Sequence, residues 1–582
     1  MFYKLTTVLL MFLSLAADAQ MRFDTLNWRP PVDIPIYLSG NFAELRTDHF
    51  HAGIDIKTQG KEGFRVYAVQ NGYISRIKVS AGGYGTSLYI NHNDGYTSVY
   101  GHLKEYNIQI DKYVRQIQYE RQSFEVDIFP EKGELPVNKG DIIGLTGDTG
   151  SSAGPHLHFE IRDTRNAHPM NGLFLGYDIK DNIPPKMEYL YVYPQNNYSA
   201  VNGKNQSHYY GLMKKSGHFA LRSGDTIKAA GKVGLGLKVN DYLNGSYNRC
   251  GVYELKAYIN DTLFFHDKFD GFSFAETRNI NSLMDYKENV DKGRKLHKLY
   301  VEPNNKLSVY IEALNRGILS ITEGSGTQKV TIVANDAYFN SSSLTFFIEY
   351  EEYKGMLASD DSKIIIPWQN RFNLDTLGLQ LYFKEASFYD TLKMDFAVDT
   401  TRLAGSYSPI YHIHNRYTPV QKRFEVAIKY DSVVDSLKNK LLLGIWKKEK
   451  FFAAGGKVDG DYIKGSVRKL GAYAVVIDTV KPTIVPLGNL AKSNDLSLAY
   501  RLQFKINDDF SGVASYKGTI NGNWVLYSYD AKNDLITYYF DKYMPHEGIF
   551  EVKVEVEDKR GNIAIYKKEC KIYPEQYDDI GQ

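Results

Sequence analysis

Three short histidine motifs follow one another in the first third of the chain, and they constrain its fold more than any other feature. They are His51-Ala-Gly-Ile-Asp55, Tyr100-Gly-His102-Leu103 and His156-Leu157-His158-Phe159-Glu160. Residues at i and i+2 of a strand point to one face, so His156, His158 and Glu160 are predicted to project together. His51 and Asp55 are four residues apart, which suits one side of either a strand or a helical turn.

The residue types in these motifs suit a catalytic zinc ion. Such an ion takes three nitrogen or oxygen ligands from the protein and leaves its fourth position to water or substrate. His51, Asp55 and one of the pair His156 and His158 meet that requirement. A lone motif of this kind is a weak signal, and the hypothesis depends on the combination of all three.

The motifs resemble those of the lysostaphin-type, or LytM-like, zinc endopeptidases, which cut peptide bonds in bacterial cell walls. The likeness covers residues 34–173 and includes the glycine-rich approach over 146–155. It implies a compact antiparallel β-sheet domain in which one Zn²⁺ is held by His51, Asp55 and His158. It also implies that His102 and His156 are the catalytic pair. Glu160 is a candidate for orienting a histidine by a hydrogen bond.

The function implied by this resemblance is hydrolysis of peptide bonds in peptidoglycan stem peptides or crosslinks, with an activated water as nucleophile. No HExxH helix offers a glutamate base, so proton transfer would fall to the catalytic histidines. Two alternatives stay open: a non-catalytic or latent wall-binding or regulatory protein on the same fold, and a secreted protease that cuts glycine-rich proteins. Latency would need a segment such as 38–46 or 111–123 to cover the groove.

The start of the chain predicts export. Lys4 precedes an apolar run over 7–15, and Ala17-Asp18-Ala19 fits a cleavage site, so residues 1–19 are interpreted as a signal peptide. We therefore expect a periplasmic, cell-surface or extracellular protein. No later segment reaches the roughly 18 apolar residues of a transmembrane helix.

Composition and charge exclude some partners. The chain has 70 basic and 68 acidic residues, a net charge of +2, so it lacks the electrostatic footprint of a nucleic-acid-binding protein. The expected partner is peptidoglycan or another peptide substrate. Only Cys250 and Cys570 occur, and because they lie in different predicted domains, the sequence gives no reason to assume that they pair.

The whole chain is predicted to be mainly β. The peptidase domain is placed at 20–180, with its core at 34–173 and an insertion at 104–138 that includes a helix-like run over 111–123. About three β-sandwich, Ig-like domains follow, at 184–352, 362–480 and 481–575, because short alternating strands there are separated by Gly, Asn and Asp turns. The simplest interpretation is a rigid stalk, and docking to an envelope protein is a further possibility.

An internal repeat links the first and last of these β-domains. Val239-Asn240-Asp241, Gly251-Val252 and Ile259-Asn260 resemble Ile506-Asn507-Asp508, Gly512-Val513 and Ile520-Asn521. Later in each unit an Asp-x-x-x-Asn turn signal follows, at 336–340 and at 558–562. The two domains are therefore predicted to be related.

Overall fold

The computed structural model of the chain describes residues 26–355 and 363–573. The predicted signal peptide at 1–19 lies outside the described residues. Strands dominate the described parts, which confirms the prediction of a mainly β protein. The strands form four successive groups of sheets, and four buried apolar clusters follow the same order along the chain.

The first group is a single sheet of eleven strands, and every pairing in it is antiparallel. Its strands are β1 Leu38–Gly40, β2 Ile54–Lys57, β3 Arg65–Tyr67, β4 Gly72–Val79, β5 Thr86–His92, β6 Tyr96–Tyr106, β7 Val126–Ile128, β8 Pro136–Val137, β9 Ile142–Thr146, β10 His156–Asp163 and β11 Pro169–Met170. The main path runs β1-β2-β10-β6-β5-β4-β7. Strand β10 therefore lies between β2 and β6, the strands that carry the other two histidine motifs.

Strand register brings the motifs together. His158 on β10 lies opposite Asp55 on β2 and opposite Gly101 on β6. Gly53, just before β2, allows a very close approach, because a Cβ atom there would lie 2.3 Å from the carbonyl oxygen of Phe159. A side chain at position 53 would therefore push β2 away from β10.

The predicted insertion contains helix α1, Ile108–Arg121. Asn107 caps its start by accepting a hydrogen bond from the backbone N–H of Ile110, and Gln122 ends it in the left-handed region. Ile110 and Val114 are buried against the peptidase sheet. The polar run over 111–123 is thus helical for most of its length.

The second group of strands forms a twelve-stranded assembly after the peptidase sheet. Its strands are Lys186–Pro194, Ala200–Val201, His208–Lys215, His218–Leu221, Thr226–Asn240, Glu254–Ile259, Thr262–Lys268, His297–Lys298, Tyr310–Ala313, Leu319–Ile321, Gln328–Asn335 and Ser341–Tyr350. Two short α-helices, Ile280–Leu283 and Tyr286–Lys292, lie between its strands.

The strands of the remaining two groups pair only in antiparallel fashion, whereas the second group includes two parallel pairings. The third group comprises Ile364–Ile366, Phe372–Thr376, Leu379–Phe383, Leu392–Met394, Phe396–Asp399, Ile410–Ile413, Phe424–Lys429, Leu441–Lys447, Lys450–Gly455, Lys457–Asp459, Tyr462–Val467 and Gly471–Ile477. The fourth comprises Thr483–Leu487, Arg501–Asn507, Val513–Ile520, Asn523–Trp524, Ser528–Asp530, Leu535–Tyr539, Gly548–Asp558 and Ile563–Ile572, with a short helix Asn489–Lys492. Short 3₁₀ helices occur at Gly172–Leu175, Thr277–Asn279, Leu314–Gly317, Glu323–Ser325 and Asp435–Lys440.

The β-domains pack against the peptidase domain. Phe42 and Phe50, on either side of the turn before β2, form one buried cluster with Phe269 and Phe272 of the second group. In a second contact, Tyr119 of α1 stacks on Tyr543 of the fourth group, with ring centroids 4.6 Å apart. The peptidase domain is therefore in direct contact with the second and fourth sheet groups.

Two further features bear on the predictions. Among the described residues, no helix combines the length and the apolar character needed to cross a membrane. Cys250 and Cys570 are both buried, and neither forms a disulfide.

Candidate metal centre and active site

Three side chains, from β2, the residues just before it and the neighbouring strand β10, meet at one point. His51 precedes β2, Asp55 lies on β2 and His158 lies on β10. Their facing atoms form a near-equilateral triangle: His51 Nε2 lies 2.9 Å from Asp55 Oδ1 and 3.0 Å from His158 Nδ1, and the last two atoms are 2.9 Å apart. All three residues are buried.

This triangle fits the donor set of a zinc ion. Zinc prefers imidazole nitrogen and carboxylate oxygen at 2.0–2.2 Å in tetrahedral geometry, which separates neighbouring ligand atoms by ~3.3 Å. The observed separations are a few tenths of an ångström shorter, so a small outward movement of the side chains would accommodate the ion. Three ligands leave one position for water or substrate.

Backbone and carboxylate acceptors fix which imidazole nitrogen faces the centre. His51 donates from Nδ1 to the carbonyl oxygen of Asn41, 2.7 Å away, which turns Nε2 toward the centre. His158 donates from Nε2 to Glu160 Oε1 at 2.7 Å, which leaves Nδ1 toward Asp55. Orienting partners of this kind are characteristic of metal-bound histidines.

Glu160 is held in turn by two side chains. Tyr84 donates its hydroxyl to Glu160 Oε1 at 2.5 Å, and Arg162 donates from Nε to Oε2 at 2.6 Å. The Tyr84 ring also stacks on His158, with centroids 4.8 Å apart. The predicted hydrogen-bonding role of Glu160 is therefore consistent with its contacts, and its partner is His158.

The electrostatics of the centre show two buried carboxylates that keep their charge. Burial alone would raise the pKa of Asp55, but the charge of His51 and hydrogen bonds from three imidazoles hold it well below its usual range. Burial opposes ionisation of Glu160 too, yet Arg162 and His158 lower its pKa to about 2. Burial opposes a positive charge on His158, but hydrogen bonds to Asp55 and Glu160 and the attraction of their charges raise its pKa to about 9.

Two more imidazoles border the triangle. His156 Nε2 lies 3.4 Å from Asp55 Oδ1, and the rings of His102 and His156 have centroids 4.7 Å apart. His156 donates from Nδ1 to the carbonyl oxygen of Gly154, and His102 donates from Nδ1 to that of Thr149, both at 2.8 Å. Each ring therefore presents its Nε2 atom for chemistry.

His102 is both strained and neutral. Its φ of 59° lies in the left-handed region, which non-glycine residues seldom adopt, and strained backbone of this kind is concentrated at functional sites. Burial, together with the neighbouring His158 and His156, lowers its pKa to about 3. The ring is thus an uncharged acceptor at neutral pH.

Comparison with known proteins agrees with this geometry. Residues 49–119 and 131–171 match the family described as "Peptidase family M23". These residues form an M23 peptidase domain. The match omits 120–130, which falls inside the predicted insertion.

Two curated relatives each match about a fifth of the chain. The chain is 32% identical over 127 residues to the DD-carboxypeptidase/endopeptidase Mpg of Neisseria meningitidis serogroup B, which is 22% of this chain and 23% of that protein. It is 30% identical over 111 residues to an uncharacterized metalloprotease of Haemophilus influenzae, 19% of this chain and 18% of that protein. The chain thus spans about a quarter or less of these relatives.

Solved structures also align with the M23 domain. A zinc-containing peptidase from Vibrio cholerae has 26% identity and a TM-score of 0.19, and the alignment covers 27% of this chain and 41% of that one. The catalytic domain of lysostaphin from Staphylococcus simulans has 26% identity and a TM-score of 0.17, with 24% of this chain and 86% of that one covered. Farther along the chain, residues 363–478 match a Zu5-like domain.

Sequence reasoning missed three charged or polar residues that complete the M23 site. Arg46 donates to Asp55 Oδ2 at 2.8 Å, and Tyr84 and Arg162 hold Glu160. Arg162 could have been found, because it continues the i+2 series of His156, His158 and Glu160 on β10. Arg46 and Tyr84 come from loops, where no periodicity identifies them.

The two segments considered for latency have other partners. In the segment over 38–46, the Asn41 side chain exchanges hydrogen bonds with the backbone of Gly251, while its carbonyl oxygen orients His51. The exposed side of α1 contacts the fourth sheet group through Tyr119. The same group reaches the rim of the M23 site, where Lys532 pairs with Asp148 at 2.7 Å.

Proposed function

We propose that this protein is an exported, zinc-dependent endopeptidase that hydrolyses peptide bonds in peptidoglycan stem peptides or crosslinks. The observation that carries the proposal is the triangle of His51, Asp55 and His158 with two further imidazoles beside it. The M23 match supports the peptidase chemistry. The name of the Neisseria relative, a DD-carboxypeptidase/endopeptidase, supports a peptidoglycan substrate.

The metal would be held by His51 Nε2, Asp55 Oδ1 and His158 Nδ1. A zinc ion bound there supplies a Lewis acid that polarises the scissile carbonyl and lowers the pKa of a water molecule. Glu160 keeps the Nε2 proton of His158 in place, so that Nδ1 stays available to the metal. Arg46 neutralises the second oxygen of Asp55, which leaves Oδ1 as the ligand atom.

His102 and His156 would manage protons and negative charge in the reaction. Both rings donate from Nδ1 to backbone carbonyls. These hydrogen bonds hold the imidazoles in one orientation, so their Nε2 atoms are already positioned for the reaction. The low pKa of His102 leaves its Nε2 unprotonated before catalysis, so this atom can accept a hydrogen bond from the nucleophile, and either His102 or His156 would take up the proton. An imidazole that has gained a proton can then donate it to the leaving amine.

Export rests on the residues of the predicted signal peptide at 1–19. It places the proposed enzyme in the periplasm, on the cell surface or outside the cell, where peptidoglycan is accessible. The β-domains after residue 184 remain candidates for docking to an envelope protein. Their predicted Ig-like character supports such a role by architecture alone.

The decisive experiment is digestion of purified peptidoglycan by the mature protein, followed by mass spectrometry of the released peptides. His158→Ala removes a proposed ligand, and His102→Ala removes a proposed proton acceptor while leaving the ligands intact. His412→Ala is the matched control, because His412 is the exposed residue of strand Ile410–Ile413 in the third sheet group. Zinc content and circular dichroism are measured for every variant.

We expect new peptide ends from the wild type and from His412→Ala, and none from His158→Ala, which should also lose its zinc. His102→Ala should keep zinc and lose about 10²–10⁴ in kcat. Zinc-loaded wild type that binds peptidoglycan without cutting it would favour the non-catalytic or latent alternative. Cleavage of glycine-rich proteins but not of peptidoglycan would favour the secreted protease.

A further inference from the structure

A second cluster of buried acids lies where the M23 domain joins the first β-domain. Asp181 belongs to the connection that leaves the M23 domain, Asp241 follows strand Thr226–Asn240, and Asp336 follows strand Gln328–Asn335. One carboxylate oxygen from each lies within 4.8 Å of the others. Asp241 and Asp336 are almost completely buried, with 2% and 1% of their surface exposed.

Two oxygens in this cluster have no hydrogen-bond partner. Asp241 Oδ1 and Asp181 Oδ2 are both buried and unsatisfied among the described residues. Asp336 differs, because its Oδ1 accepts from the backbone of Tyr338 and Asn340 and its Oδ2 accepts from the Asn340 side chain. A buried carboxylate oxygen without a partner costs more free energy than almost any other polar group.

No positive side chain among the described residues compensates the cluster. Burial raises the pKa of Asp241 to about 9, and the neighbouring Asp181 and Asp336 raise it further in the same direction. Burial likewise raises the pKa of Asp181 to about 7. The three carboxylates therefore need either protons or a cation that the chain does not supply.

The internal repeat provides a comparison within the same molecule. Asp478, Asp508 and Asp558 form the equivalent cluster in the last β-domain, at matching positions of the repeat. There Arg560 lies two residues after Asp558, where the first cluster has Tyr338 two residues after Asp336. The carboxylates of this cluster accept hydrogen bonds from the backbone: Asp478 Oδ2 from Ser511, Asp508 Oδ1 from Gly512 and Asp558 Oδ1 from Asn562.

We propose that Asp181, Asp241 and Asp336 bind one Ca²⁺ ion at the junction of the M23 domain and the first β-domain. The ligands are oxygen atoms only, and hard carboxylate oxygens select Ca²⁺ over zinc, which favours nitrogen and sulfur. The ion would give both unsatisfied oxygens a partner. It would also tie the interdomain connection to two loops of the β-domain.

This junction is already tightly built around the cluster. The Asn340 side chain donates to the carbonyl oxygen of Asp181, and Asp241 pairs through its backbone with Cys250. Cys250 and Ala337 belong to the same buried cluster as the peptidase core. Bound Ca²⁺ would therefore stabilise the placement of the M23 domain on the β-domain, and its effect on stability would be measurable.

The test uses the full-length protein with its zinc site loaded, and ⁴⁵Ca²⁺ in equilibrium dialysis as the probe. Asp241→Asn removes one ligand charge at nearly constant volume, and Asp508→Asn is the matched change in the second cluster. We expect one Ca²⁺ per chain in the wild type and in Asp508→Asn, and none in Asp241→Asn. Saturating Ca²⁺ should raise the Tm of the wild type by about 5–10 °C and leave that of Asp241→Asn unchanged.

Three results would overturn the proposal: no Ca²⁺ bound by the wild type at millimolar concentration, equal binding by Asp241→Asn, or loss of binding in Asp508→Asn alone. The first result is measured on the wild type alone, so the proposal can be refuted even if a variant fails to fold. The readout is independent of peptidase activity. A failure of the proposed hydrolysis would therefore leave this result standing, and the reverse also holds.

Discussion

The M23 site and the Asp181/Asp241/Asp336 cluster both bury carboxylates, but they treat the charge in opposite ways. In the M23 site, imidazoles and arginines hold the pKa values of Asp55 and Glu160 low, so both acids are ionised. In the other cluster, burial and mutual repulsion raise the pKa values of Asp241 and Asp181. The difference shows that burial alone does not determine the ionisation of an acid, because the cations supplied by the chain decide it.

The largest effect should come from removing the arginine that balances Glu160. Arg162→Met leaves a buried carboxylate with one positive partner fewer, and breaking such a pair costs about 3–5 kcal/mol. We expect the Tm of the M23 domain to fall by roughly 10 °C in thermal unfolding. Arg165→Met is the control, since Arg165 pairs with Asp163 in solvent on the same strand end. Equal Tm shifts in the two variants would contradict the balancing role.

A smaller effect is expected when the charge of Glu160 itself is removed. Glu160→Gln still accepts a hydrogen bond from His158, but it no longer favours the imidazole orientation by charge. Changes of this kind at metal-ligand partners lower metal affinity about 10–100-fold. Zinc affinity measured by chelator competition tests this, with the exposed Glu62→Gln as control. Unchanged affinity in Glu160→Gln would remove Glu160 from the metal centre.

The pH dependence of zinc binding follows from His158. Its pKa is raised to about 9 in the metal-free site, because Asp55 and Glu160 outweigh the opposing effect of burial. Below pH 9 the metal must displace that proton, so zinc affinity should rise with pH, by up to about tenfold per unit. Calorimetry at pH 7 in buffers of different ionisation heat should show release of about one proton. Binding without proton release would show that His158 is already neutral.

The smallest predicted effect concerns the Asp181/Asp241/Asp336 cluster without Ca²⁺. Asp241 has a pKa of about 9 in the fold, against the 3.8 that is usual for an aspartic acid. Between these pH values the folded state therefore holds a proton that the unfolded chain has lost. Stability should therefore fall as pH rises across that window. Asp241→Asn removes this loss and should raise the Tm by about 3 °C at pH 8. A similar rise in Asp508→Asn would erase the contrast between the two clusters.

Much of the M23 site was accessible from sequence because its residues are close in the chain and follow strand periodicity. His156, His158 and Glu160 on β10 are the clearest case, and the helical character of 111–123 was also predictable from its polar pattern. The roles of the ligands and of the catalytic histidines remain predictions until they are tested. The register that sets His158 opposite Asp55 required the structure, since pairing partners are set by the whole sheet.

The contacts between domains were beyond sequence reasoning. Apolar residues such as Phe42 and Phe272 can be predicted to be buried from their type. Their spacing in the sequence does not predict which part of the chain they pack against. The repeat suggested that Asp241 and Asp508 occupy equivalent places, yet Asp181 enters its cluster from a linker that has no periodic pattern. The Ig-like character of the β-domains likewise stays a prediction.

The last β-domain contacts the M23 domain, although the two are far apart in sequence. This affects the order in which contacts can form during synthesis. Tyr119 meets Asp541 across 422 positions of sequence, and Lys532 meets Asp148 across 384. A chain growing from its N-terminus finishes the M23 sheet long before these late residues exist. The rim beside His156 therefore acquires its final contacts only when synthesis is nearly complete. A prematurely terminated chain would contain the histidines but lack the contacts made by the last β-domain.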